Sequence, residues 1–164
     1  MINKTSLLKI TQEALWWIIT AAVCWLIFYP ITTKIDYYYW RENLVFLISA
    51  ITSIRYAIFY NQLSFLQPNI VKFLLFTANL VLWVYVLNRY EMLLQLYENF
   101  DLSFYGKMRK QMVIAEQVDM LHLIYKQILI AGISALTGIV ILNVRIIGAY
   151  WRVAKIRFST RMQE

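Results

Sequence analysis

The sequence predicts an all-α protein: a four-helix transmembrane bundle whose third and fourth helices extend into an antiparallel hairpin outside the membrane. Three observations carry this. Hydrophobic residues make up 61% of the 164 positions, well above the ~45–50% of a water-soluble domain. The excess is gathered into four runs, each about the length of one bilayer crossing, since ~20 helical residues span a ~30 Å hydrocarbon core. The runs are continuous rather than alternating, which excludes a transmembrane barrel. Residues 1–164 form one integral membrane domain.

Residues 14–33 (ALWWIITAAVCWLIFYPITT) hold no charge and make the first crossing. Trp16 and Trp17 mark its near end, and Pro30 lies near its far end, where a missing backbone donor costs least. The connection at 34–42 carries Tyr37, Tyr38, Tyr39 and Trp40 between charges and reads as an interfacial aromatic belt. Residues 43–62 make the second crossing, with Ser49, Ser53 and Ala57 at four-residue spacing, a face that lets another helix approach closely. Pro68 suits a turn before the third crossing at 69–88, which makes helices two and three antiparallel neighbours.

The helical pattern of the third crossing runs on through Tyr90, Leu93, Leu94, Tyr97 and Phe100, and Asp101 to Gly106 supplies a turn. Helix is expected again from Lys107, with Ile114, Val118 and Leu121 on its apolar face. The two extensions form the outer hairpin at 89–126, with Glu98 matched to Arg109 or Lys110 and Arg89 to Glu116 or Asp119. The fourth crossing, 127–147, presents Ala131, Ala135 and Gly138 as a second face for helix packing. A basic tail at 152–164 follows, in which Arg152, Lys155, Arg157 and Arg161 meet anionic lipid headgroups.

Charge sets the orientation. With both termini inside, the inner ends carry Lys4, Lys9, Arg55, Lys72, Arg145, Arg152, Lys155, Arg157 and Arg161 against only Glu13 and Glu164, which accounts for the whole net charge of +7. The outer segments balance. Lys and Arg gather on the cytoplasmic side of membrane proteins, so both termini are expected there, in the inner membrane of a cell.

The polar residues inside the crossings are the candidates for function. Arg55 lies about two turns from the inner end of the second helix; it either snorkels to headgroups or faces the interior. No carboxylate lies within a crossing, so an interior Arg55 is expected to need Asn79, Asn143 or an anion. Asn79 and Asn143 are each expected to form an interhelical hydrogen bond. Arg55, Asn79, Asn143 and Arg145 together make the candidate ligand pocket. Asp119 and His122 have the spacing of one half of a di-iron ligand set, but His122 is the only histidine, so no metal is expected. No cofactor motif is present, and the single cysteine, Cys24, excludes an intrachain disulfide. Acid–base chemistry needs positioned titratable groups that the crossings lack, so the reading leans away from an enzyme. A basic tail alone does not make a nucleic-acid site.

The segments RENLVFLISAITSIRYAIFY (residues 41–60) and RIIGAYWR (145–152) resemble those of small uncharacterised polytopic inner-membrane proteins of Bacteroidota. The resemblance implies a bacterial inner membrane and carries over no activity. The expected partners are the lipid bilayer and another membrane protein or a second copy. The expected role is an accessory or scaffolding subunit of a membrane complex. The alternative is a protein that handles lipid or small anions, in transport or as a channel, through the Arg/Asn pocket.

Overall fold

The computed structural model describes residues 4–60, 69–98, 101–109 and 111–161. Its four helices are α1 (Lys4–Thr32), α2 (Trp40–Ile58), α3 (Asn69–Glu98) and α4 (Ile114–Arg161). Three are long and apolar enough to cross a membrane, over Ile10–Thr32, Asn69–Glu98 and Ile114–Arg152. The shorter α2 carries Arg41, Glu42 and Arg55 and buries Phe46, Leu47, Ser49, Ala50, Ser53 and Ala57.

The main seam joins α2 to α4. Gly138 of α4 lies over Ser53 and Ile54 of α2, and a Cβ added there would come within 3.2 Å of both side chains. Ser49, Ser53 and Ala57 on one helix and Ala131, Ala135 and Gly138 on the other are all buried. Small residues bring the two backbones together, so close dispersion contact runs along the seam. Further along, Ala57 and Tyr60 cluster with Leu142, Ile146 and Ala149, so the two helices run in the same direction. α3 runs the opposite way against α4. Asn79 meets Asn143, the Tyr90 ring covers Gly132, and Tyr97 stacks on Tyr125 with 4.0 Å between ring centroids.

The sequence-predicted hairpin needs correction between 107 and 113. Helix does not resume at Lys107. Residues Gly106–Met108 form strand β2 and pair antiparallel with β1 (Ile35–Tyr37), in the register Ile35 with Met108, Asp36 with Lys107 and Tyr37 with Gly106. The reason is local. Gly106 lies so close to the Asp36 carbonyl that any Cβ would collide with it, and β1 alternates Ile35 and Tyr37 inward with Asp36 outward. The ribbon is lengthened by Tyr38 N–H to the Tyr105 carbonyl and Arg109 N–H to the Lys34 carbonyl, both 2.9 Å. A 3-10 turn, Leu102–Phe104, precedes β2 and is capped by Asp101, whose carboxylate accepts from the Ser103 N–H at 2.8 Å.

The matched ends of the hairpin are also different. Arg109 pairs with Asp36 at 3.3 Å instead of Glu98. Arg89 rests against the Met92 sulfur and the Tyr85 ring rather than Glu116 or Asp119. The stripes meet in part: Leu93 and Leu121 are buried, whereas Ile114 is 77% exposed. Lys110, Phe100 and the turn at Pro68 lie outside the described residues.

Candidate functional site

Three of the candidate polar side chains, Arg55, Asn79 and Asn143, are engaged by other side chains. Arg55 is only 7% exposed, and its guanidinium lies 2.6 Å from the Glu13 carboxylate of α1. The rings of Trp16 and Tyr56 cover it at 5.1 and 5.2 Å. This differs from the expected partners, Asn79, Asn143 or an anionic headgroup, because the anion is a carboxylate of the chain itself. Glu13 sits one residue before the uncharged run, yet α1 is helical from Lys4, so the carboxylate is carried on the same rod and reaches Arg55. A buried guanidinium is costly alone and tolerable when ion-paired and stacked.

Asn79 and Asn143 are both buried and share one hydrogen bond, Asn79 Nδ2 donating to Asn143 Oδ1 at 3.0 Å. Arg145, two residues on, is exposed. The four candidate pocket residues therefore occupy three environments: Arg55 with Glu13, the two asparagines together, and Arg145 exposed on the surface of α4. Lys72, counted in the sequence only for its charge, is buried with its ammonium 5.8 Å from the Tyr150 ring, and the Tyr150 hydroxyl donates to the Asn69 carbonyl at 2.6 Å. Arg152 is exposed. The side chains of Lys155, Arg157 and Arg161 lie outside the described residues.

Near the ribbon, the Tyr97 hydroxyl and His122 Nδ1 are 2.9 Å apart, and the Tyr105 hydroxyl donates to the Leu93 carbonyl at 3.0 Å. Among the described residues, no three His, Cys, Asp or Glu side chains are grouped to hold a metal ion. Tyr37 and Tyr105 are almost wholly enclosed, and burial holds both phenols well above the ordinary tyrosine range. Hydrogen bonding from Ser103 draws the exposed Asp101 carboxyl below its ordinary range.

A groove of about 570 Å³ lies between α1 and α2. Thr20, Cys24 and Phe28 line it on one side and Leu44 and Ile48 on the other, with Trp17 towards one end and Asp36, Trp40 and Arg109 at the other. α1 is pinned at both ends of this groove. Glu13 and Trp16 hold it at one end, through Arg55 and through the Trp16–Phe59 ring contact at 6.2 Å. The buried Ile31 and β1 hold it at the other. Neither the partnership of Glu13 nor the groove was readable from periodicity, because both depend on how α1 leans on α2. The chain matches no family model, no curated protein sequence and no solved structure.

Proposed function

We propose that this chain is a multi-pass protein of a bacterial inner membrane, with both termini cytoplasmic, serving as an accessory or scaffolding subunit that meets another membrane protein or a second copy of itself. The observation that carries the reading is how the intramembrane polar groups are used: Glu13 with Arg55 and Asn79 with Asn143 fasten helices together. Such pairs specify an assembly. The alternative, a lipid- or anion-handling pocket built from Arg55, Asn79, Asn143 and Arg145, needs those groups directed at one shared space. Three of them are instead engaged by protein partners.

Chain continuity supports four crossings. The C-terminal ends of α1 and α3 come together at the ribbon, whereas the start of α3 lies beside Tyr150, far along α4. Between β1 of the ribbon and the start of α3 at that far end, the described helix is α2. If α1 and α3 cross, α2 crosses too, and its 19 residues span about 28 Å.

Purification of the tagged chain in mild detergent tests the role. A stoichiometric membrane partner or a defined oligomer is expected, and a monomer without a partner overturns it. Orientation is tested by cysteine labelling on a Cys24→Ser background. Position 107, exposed on the ribbon, should react with an impermeant reagent in intact cells; reaction at 159 instead reverses the topology.

A further inference from the structure

The groove between α1 and α2 has the dimensions and polarity of a site for one membrane lipid. Lined from Trp17 to Thr32 of α1, it extends about 22 Å along the helix axis. One leaflet of a ~30 Å hydrocarbon core needs about 15 Å. Its volume falls within the ~300–1,000 Å³ typical of ligand sites. Apolar side chains make up most of its wall, and the Glu13–Arg55 pair with Trp16 lies just beyond its Trp17 end.

The charge is at the other end. The Arg109 guanidinium stands at the mouth, more than half exposed, held by Asp36 at 3.3 Å. Lys34 and Lys107 are exposed beside it on the same ribbon, so three cations surround one carboxylate. An Arg with two neighbouring lysines is matched to a phosphodiester, and the surplus positive charge favours an anion over a cation. Trp40 also lines the mouth, at the level where indoles meet headgroups.

From this complementarity we infer that the groove binds one outer-leaflet glycerophospholipid, with an acyl chain between α1 and α2 and the phosphate on Arg109. The lipid fills the space that α1 spans between its two attachments, so it is part of the bundle rather than of the surrounding bilayer. The inference rests on the membrane reading of α1 and α2 and is independent of whether a protein partner exists.

The test uses the delipidated full chain in detergent, titrated with phosphatidylglycerol and followed by native mass spectrometry. One lipid per chain is expected. Ala21→Phe, which places a ring in the groove, should abolish binding, while Leu26→Phe on the outward face of α1 should leave it unchanged. Arg109→Gln removes a charge-assisted contact and should weaken binding about tenfold. Diacylglycerol, which lacks the phosphate, should bind the unaltered chain as weakly as phosphatidylglycerol binds Arg109→Gln. Equal binding by the unaltered chain, Ala21→Phe and Leu26→Phe overturns the site. So does an absence of lipid binding accompanied by a change of oligomeric size in Ala21→Phe, which would assign the groove to a helix of another chain. Binding that ignores both Arg109 and the phosphate overturns the headgroup assignment. Because the isolated chain is used, failure here leaves the accessory role standing, and loss of the accessory role leaves the lipid site standing.

Discussion

Arg55 of α2 reaches across to Glu13 of α1, 2.6 Å away, beneath the rings of Trp16 and Tyr56. This contact fixes one end of a helix whose remaining length faces outward through Leu15, Ile18, Trp25 and Leu26. Removing one partner of a buried ion pair costs ~3–5 kcal/mol, because the other charge is stranded. Glu13 is 29% exposed, so solvent reduces the effect here to about 1–3 kcal/mol. Glu13→Gln should therefore loosen α1. Cys24, 5% exposed on the side of α1 that faces α2, is a native reporter: its reaction with a small membrane-permeant maleimide should accelerate in Glu13→Gln. Adding Arg55→Met should slow it again. Unchanged thiol reactivity in Glu13→Gln would show that the pair does not hold the helix.

The Asn79–Asn143 bond lends itself to a double-mutant cycle. Interhelical hydrogen bonds in membranes average ~0.6 kcal/mol and reach ~1.7, while an orphaned buried amide costs ~1–3 kcal/mol. Asn79→Leu and Asn143→Leu should each lower the melting temperature in detergent. The double variant should recover most of the loss, since neither amide is left without its partner. Additive losses would mean that the two side chains act independently.

The sequence already displayed the two asparagines as polar residues in apolar runs and the small residues of α2 and α4 as faces with helical spacing. The structure joins each to the other. Helical periodicity is a local property, so it survives without knowledge of the neighbours. Glu13 stands outside the uncharged run and enters the sequence reading only through the charge balance, but α1 continues through it and sets it against Arg55. Strand β2 was missed for a different reason. Three residues, Gly106, Lys107 and Met108, are too few to establish alternation, and their partner at 35–37 lies some seventy positions away. Only Gly106 hinted at a close backbone approach, and a turn explained it equally well.

Gly138 gives a graded test of the α2–α4 seam. Gly138→Ala places a methyl group about 3.2 Å from Ser53 Cβ and Ile54 Cγ1, so the neighbours must yield by a few tenths of an ångström. Gly138→Leu overfills the same contact, for which ~1–3 kcal/mol is typical. The melting temperature should fall slightly for Ala and clearly for Leu. Gly148→Leu provides the control, because a Cβ there meets nothing within 4 Å. Similar melting of Gly138→Leu and Gly148→Leu would place the seam elsewhere.

Alkaline pH should act on the ribbon through Tyr37 and Tyr105. Burial raises both phenols above their unfolded value near ~10, and the Tyr105 hydroxyl donates to the Leu93 carbonyl, a bond that ionisation removes. The sign follows from the raised values. Below the unfolded pKa both states hold the proton, and the stabilisation of the neutral folded form is fully present. As pH rises beyond ~10 the unfolded chain ionises first, so stability drains towards the unfolded state by up to ~1.4 kcal/mol per pH unit for each such tyrosine until the folded pKa is passed. Thermal melting should thus be level between pH 7 and 9 and fall steeply from 10 to 11. Tyr105→Phe should melt lower at pH 8, by roughly the ~1 kcal/mol of one lost hydrogen bond, yet lose less than the unaltered chain between pH 8 and 11. Its phenol no longer offers the unfolded state a proton to release. If the two proteins lose stability in parallel across that interval, Tyr105 is not the alkaline-sensitive group.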